Sequence, residues 1–425
     1  MNFTATRFVT GARALESSDP ISRGPLELLR DRRFLGFFMS VFVSGSGNWL
    51  HVIASGIIVF DLTGSSLAVG AVGVAQFGAF LVMTPIAGRL ADAFDRRHVL
   101  IVSNGIASLA AAGLAFSTWS AGPQVGVIIG ATVVLGLGHA VSVPSVLTIV
   151  PLLVQRSELS VGIALNTVAV NLARVFGPIA GAFLYAQAGA TSVFALNALT
   201  YLPIVFVMLA IPRAPRRPAH AEGSSGIGEA MRTIRLDRGL QRAFVAVFAM
   251  GYALDPMTTL APAAAERVGQ PESFVGFIVG TFGLGAILTV GLATRLRRAL
   301  GPVRAGAAGL AIMGSGLIGW SLLRTPAPMI MAIGLIGLGY ITSVTDITTF
   351  IQERVDDRLR GRMMALWSAV LLGPRPIAAT LNGALADGVG TGPAIAIAGL
   401  VPLLFGLALF ASGSSGELST DVAAS

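Results

Sequence analysis

The chain of 425 residues is 54% hydrophobic and only 12% charged, about half the roughly 25% of a soluble domain, which excludes a soluble globular protein and points to a polytopic membrane protein. All 29 basic residues are Arg and Cys is absent, which removes a Walker A lysine, a Schiff-base lysine and thiolate or iron–sulfur ligation. The net charge of +8 reads as charge placed at a membrane surface rather than as a nucleic-acid patch, and the four scattered histidines (His51, His98, His139, His220) form no metal-binding tract.

Residues 1–33 are polar and of mixed charge, lack the apolar core of a cleavable signal peptide, and read as a cytoplasmic N-terminal tail. Twelve apolar runs follow, at about 34–60, 66–88, 99–119, 125–150, 160–187, 190–211, 243–265, 273–294, 303–323, 327–351, 363–386 and 393–411. Each is near the roughly 20 residues that span the hydrocarbon as a helix. Residues 212–242, with Pro212, Pro215, Pro218 and Gly223-Ser-Ser-Gly226, read as a cytoplasmic linker, and its basic segment from Met231 to Arg242 as a surface helix. The chain then divides into a six-helix bundle at 34–211, a second at 243–411 and a cytoplasmic tail at 412–425.

Between the second and third runs lies a polar knot, Gly88-Arg89-Leu90-Ala91-Asp92-Ala93-Phe94-Asp95-Arg96-Arg97-His98. Such a knot between two spanning runs is a tight turn at a membrane surface, and its arginines favour the cytoplasmic side. Asp92 falls at the C-terminal end of its helix, where carbonyl dipoles repel an anion, so another group must hold its charge. With the N-terminus inside, the cytoplasmic segments hold 25 of the 29 arginines, while only Arg267 and Arg324 fall on the outer side and Arg174 and Arg375 fall within apolar runs. That skew sets the orientation, with both termini cytoplasmic.

The knot resembles the loop signature of the major facilitator superfamily, Gly-x-x-x-Asp-x-x-Gly-Arg-Arg, through Gly88, Asp92, Arg96 and Arg97. Asp95 departs from it where the broad superfamily has Gly, and this variant is similar to the enterobactin-exporter-like branch. Further pieces of that likeness are Val143-Pro144-Ser145, Asn166, Asn171-Leu-Ala-Arg174, Phe194-Ala-Leu-Asn197 and Arg360-Gly361-Arg362, covering most of residues 30–390. The resemblance implies an all-α membrane protein with the major facilitator fold, twelve transmembrane helices in two six-helix halves. It also implies that Gly88, Asp92, Arg96 and Arg97 act as a conformational latch. Weak echoes between the halves agree, such as Pro178-Ile-Ala with Pro376-Ile-Ala, and a substrate site at the midplane between repeats is expected.

The fifth run contains Gly177-Pro178-Ile-Ala-Gly181, which resembles the superfamily's antiporter motif and implies export; a plain packing kink is the alternative. Charges inside the membrane are expensive and mark function or pairing. Asp255 sits near mid-depth of the seventh run as a proton or substrate carrier, or else as an ion-pair partner of Arg375 or a cap at the Pro256 break. Arg174 and Arg375 lie at equivalent depths, and paired guanidiniums facing a cavity suit an anionic or oxygen-rich substrate; Arg174, part of the family likeness, reads first as structural, and Arg375, between Pro374 and Pro376, as the substrate-specific residue. Asn48 and His51 in the first helix and His139 in the fourth complete the set for substrate or proton handling, with satisfied core positions as the alternative.

The expected function is secondary active export of a small organic molecule, a siderophore or drug-like natural product, by alternating access with proton antiport. The site is the bacterial plasma (inner) membrane, and the partners are the small-molecule substrate, protons and the lipid bilayer. The chain is read as a monomer without cofactor or metal, not an enzyme, and not a nucleic-acid binder. An importer or symporter on the same fold is the rival, followed by a non-transporting sensor or membrane enzyme.

Overall fold

A computed structural model describes residues 23–83, 86, 90, 94–211, 225–288 and 290–412. Among these residues the chain is helical, with no strand. Apolar runs in lipid have no water to satisfy N–H and C=O groups, so each closes its own ladder as a helix.

The first six helices are α1 (Arg32–Thr63), α2 (Ser66–Met83), α3 (Arg96–Ala121), α4 (Val125–Leu153), α5 (159–188) and α6 (190–210). α5 and α6 are limbs of one helical stretch broken at Gly189, whose φ of 72° and ψ of 179° only glycine takes readily. The second six are α7 (Arg238–Ala253, continuing to Thr259 and then, after a 54° bend, Ala261–Arg267), α8 (Ser273–Leu288, continuing as Val290–Leu300), α9 (Pro302–Leu322), α10 (Pro326–Arg354), α11 (Asp357–Leu372, continuing as Pro374–Val389) and α12 (Thr391–Ser412). Among the described residues nine helices are long and apolar enough to cross a membrane, or eleven if each of two bent pairs is one span; the split at Gly189 makes twelve.

Polar residues between the runs set the helix starts. The Asp31 carboxylate accepts from the Arg33 and Phe34 N–H groups at 2.9 and 3.2 Å, the Ser65 hydroxyl from Ala68, and Asp237 from Leu240. Asp95 belongs to this set, since its carboxylate accepts from the Arg97 N–H at 3.0 Å and opens α3. The residue that departs from the family loop pattern is thus a helix cap. The bend in α7 precedes Pro262, which lacks the N–H that would continue the ladder.

α7 begins at Arg238, inside the segment expected to be linker, because the turn Arg238–Arg242 carries no apolar signal. The linker's surface helix runs Ser225–Leu236, starting earlier than expected, and it docks through buried Ala230 beside α7 and α11. Residues 212–224 lie outside the described residues.

α1 packs along α5, α9 packs against α10 and α12, and two pairs join the halves: α5 with α8 and α2 with α11. One buried cluster mixes both halves, placing Ile53, Ile57 and Ala182 against Met257, Leu260 and Phe274. These residues lie toward the arginine-poor end of the bundle. At the arginine-rich end, the ion pairs Arg23–Glu158 (2.6 Å), Arg297–Asp346 (3.5 Å) and Arg354–Asp237 (2.5 Å) each stay within one half.

Candidate functional site

A cavity of about 440 Å³ is lined by α1 to α6 and, from the second half, by Leu372 and Arg375 of α11. It extends from mid-depth toward the arginine-rich end, where Val146, Leu147, Asn166 and Thr167 line it. The repeats led to the expectation of a site at the midplane between the halves; of this cavity's lining the second half supplies Leu372 and Arg375. The aromatic lining comes from Trp49, Phe77, Phe80, His139 and Tyr201.

Polar side chains on neighbouring helices cross-link the cavity wall. Ser44 donates to Asn104 at 3.2 Å, the Asn104 amide donates to Ser142 at 3.2 Å, and the Ser103 and Ser142 hydroxyls lie 2.9 Å apart. Gln76 donates to Asn48 at 3.2 Å. Several lining groups are left over. The Nε atoms of Arg174 and Arg375, Gln76 Oε1 and Asn166 Oδ1 are buried without a hydrogen-bond partner among the described residues. No described carboxylate lies within 4.0 Å of either guanidinium. Each instead leans on an aromatic ring, Arg375 at 3.7 Å from the Phe77 centroid and Arg174 at 5.6 Å from that of Trp49. Buried polar groups without partners cost stability.

Asp255 is 1% exposed and lies outside the cavity lining. It accepts from Asn382 of α11 and from Thr259, both at 2.7 Å, and the Tyr252 hydroxyl donates to Asn382 at 3.3 Å. Asp255 makes no contact ion pair with Arg375, but lies close enough for its charge to act on that guanidinium through space, as does that of Arg174. It starts the short turn Pro256–Thr259 after the helical break, but its side chain caps no backbone N–H there.

Of the other expected residues, Asn48 and His139 line the cavity, the latter with its ring 6.0 Å from Phe80. His51 does not. It is fully buried between α1 and α4, its Nε2 2.9 Å from the Thr132 hydroxyl and its ring 5.7 Å from Phe194. Gly177 and Gly181 bring α5 against α1, since a Cβ on Gly177 would lie 2.5 Å from Ser46 O and one on Gly181 2.8 Å from Leu50 O. Pro178 lies within α5, and its carbonyl faces Gly276 of α8.

Gly88 and Asp92 lie outside the described residues. Arg97 donates to the Met208 carbonyl at 2.7 Å and the Leu209 carbonyl at 3.4 Å, capping the end of α6, and Arg96 reaches the Thr148 carbonyl at 3.4 Å. Gln76, Asn104 and Ser142 were not singled out from sequence, and Asn166 entered only as a piece of the family likeness. Their signal was present as amides and hydroxyls inside apolar runs, where each needs a reason.

Twelve helices in two halves around a polar, arginine-bearing cavity define a membrane transporter of the major facilitator architecture. Solved structures with the same fold include the nucleoside transporter NupG, with a TM-score of 0.73 at 11% identity over 90% of this chain and 99% of that one. A D-xylose-proton symporter is similar with a TM-score of 0.70 at 14% identity, over 89% and 96%. The chain belongs to the transmembrane secretion effector family, whose model matches residues 23–421. Among curated relatives, the enterobactin exporter EntS of Shigella boydii serotype 18 (strain CDC 3083-94 / BS512) is 23% identical over 368 residues, 83% of this chain and 85% of that one. The staphyloferrin A transporter of Staphylococcus aureus (strain NCTC 8325 / PS 47) is 23% identical over 339 residues, 78% and 84%.

Proposed function

We propose that this transporter exports a small, oxygen-rich, anionic organic molecule by alternating access, in exchange for protons. The observation that carries the reading is the pair of buried guanidiniums, Arg174 and Arg375, which line one cavity with unpartnered Nε atoms. A planar cationic fork with free donors matches carboxylate and other oxygen-rich groups, while Trp49, Phe77 and Phe80 supply apolar contact. Two relatives named for siderophores, enterobactin and staphyloferrin A, support the reading of a siderophore or similar natural product as the substrate.

The arginine-rich end is the cytoplasmic face of a bacterial plasma (inner) membrane, by the placement of 25 of the 29 arginines, and both tails face the cytoplasm. The protein works as a monomer of two bundles, residues 34–211 and 243–411, joined by a segment at 212–242 whose last turn, from Arg238, belongs to α7, with a tail at each end. Gly88, Asp92, Arg96 and Arg97 form the inner latch. Gly177, Pro178 and Gly181 form the helix-5 element of an exporter.

Asp255 carries the proton. It is a buried carboxylate at the break in α7, bonded to Asn382 of α11 and within electrostatic reach of Arg375, so its protonation and the occupancy of the cavity act on one guanidinium. His139 and Asn48 are secondary partners on the cavity wall, and His51 sits behind it.

The test uses inside-out vesicles with an imposed pH gradient, screened over a panel of siderophores and antibiotics. Gradient-dependent accumulation is the expected result. Asp255→Asn keeps downhill exchange and loses uphill accumulation. Accumulation of the substrate by Asp255→Asn vesicles against its own gradient moves the coupling site elsewhere, and uptake only in right-side-out vesicles makes the protein an importer.

A further inference from the structure

The seam between α2 and α11 shuts the arginine-poor end of the bundle. Small residues let the two helices meet: a Cβ on Gly383 would lie 2.6 Å from Ser66 O, and one on Gly70 2.5 Å from Ala379 O. One turn beyond Gly383, the exposed Asp387 reaches across to the first turn of α2. Its Oδ1 accepts from the Ser66 N–H at 2.7 Å, and its Oδ2 accepts from the Leu67 N–H at 3.1 Å and the Ser65 hydroxyl at 2.5 Å. The Ser65 hydroxyl in turn accepts from the Ala68 N–H at 3.1 Å.

A helix start leaves its first N–H groups without intrahelical partners. Here Ser65 satisfies one of them from its own half, and a carboxylate from the other half satisfies two. Asp387 lies two residues before the end of its own helix at Val389, where the carbonyl dipoles repel an anion. At the start of α2 the dipole has the favourable sign. Its charge is therefore stabilised only while the two halves touch here. When this end opens, the carboxylate returns to the repelling end of α11 and two donors of α2 are released to water. A contact that exists in one state of a two-state protein biases the equilibrium by its full differential free energy.

We infer that Asp387 is the positioning residue that holds the arginine-poor end closed during the transport cycle, by capping α2 from the opposite half. The inference rests on the transport reading, and it is independent of substrate and coupling ion.

The chain has no Cys, so spin labels can be placed on an otherwise native background. Trp119→Cys with Leu322→Cys puts one label on each half at the arginine-poor ends of α3 and α9, at side chains 72% and 73% exposed. Ser157→Cys with Arg358→Cys does the same at the arginine-rich end, at exposed sites. Pulsed electron–electron resonance is recorded on the empty protein in lipid nanodiscs.

Asp387→Asn is expected to raise the ratio of long to short distances in the first pair about tenfold, the weight of charge-assisted capping bonds, and to shorten the second pair. Ser66→Pro deletes one donor at the first helical position, where proline is accepted and where Ser65 is already extended at φ −112° and ψ 121°. It shifts the first pair in the same direction by less, and adds little on top of Asp387→Asn. If Asp387→Asn fails to accumulate, Ser66→Pro alone decides. Unchanged distances in both variants overturn the inference, and so does broadening at both ends alike, which marks general loosening. A protein that transports nothing overturns the functional reading while leaving these distances to decide the role of Asp387.

Discussion

Replacing Arg375 by Met should make the empty protein more stable and the working protein useless. Arg375 is 6% exposed, its Nε has no partner, and no described carboxylate lies within 4.0 Å. Burying an ion costs several kcal/mol even after relaxation. Against this stand the stacking on Phe77, at most about 2 kcal/mol in a desolvated site, and the attraction of Asp255 without contact. Met has similar length, fills the same space against Phe77 and carries no charge to bury. The balance favours Arg375→Met by about 1–3 kcal/mol, within the range by which apolar replacements of buried charges stabilise proteins. At roughly 2–4 °C per kcal/mol for bundles of this size, the unfolding midpoint should rise by about 2–12 °C. The assay is thermal unfolding in detergent followed by tryptophan fluorescence, beside efflux from vesicles. Loss of a charge-assisted fork should weaken substrate binding by about 10- to 150-fold, as roughly 1.5–3 kcal/mol requires. A midpoint that falls by several degrees would refute the reasoning, because it would mean that the guanidinium ties α11 to α2 as a structural element.

Arg375→Lys should accumulate normally and bind substrate less tightly or with altered selectivity, because an ammonium does not reproduce the planar fork; equilibrium binding to purified protein reads this out. Gly181→Val should lower stability by about 1–3 kcal/mol through overpacking, since even a Cβ there would lie 2.8 Å from Leu50 O, and a midpoint equal to wild type would refute close packing of α1 on α5. Asp237 reports on pH. Burial pushes its carboxyl up, but hydrogen bonds from Arg354 and the Leu240 N–H outweigh this and hold it below the usual carboxylate range. Its contribution is then complete above the unfolded value of about 3.9 and fades as pH falls through the folded one. Asp237→Asn should lower the unfolding midpoint at pH 7, and the two proteins should converge as pH falls below the folded value of Asp237; a gap that persists in acid refutes the linkage.

The spans were legible in the sequence because the bilayer enforces them. A lipid-exposed backbone must close its own hydrogen bonds, and the arginines must stay at one surface, so run length and Arg placement alone yield twelve helices and their alternation. The helix ends were less visible. α7 and α11 begin with the basic or mixed turns Arg238–Arg242 and Asp357–Arg362, which hydropathy assigns to loops. Arg174 and Arg375 were readable as cavity residues, since a charge in an apolar run has few places to go.

Which face each helix turns inward was decided only by the tertiary structure. In lipid both faces of a helix are apolar, so periodicity does not mark the inner one, and close packing by small residues chooses it. That choice sends Asp255 to Asn382 instead of Arg375, turns His51 away from the cavity, and builds the cavity almost wholly from the first half. It also brings Asp387 onto the start of α2 across a sequence separation of 321 residues. Nothing local distinguishes that aspartate from any other at a helix end; only the approach of α11 along Gly70 and Gly383 gives its charge a partner.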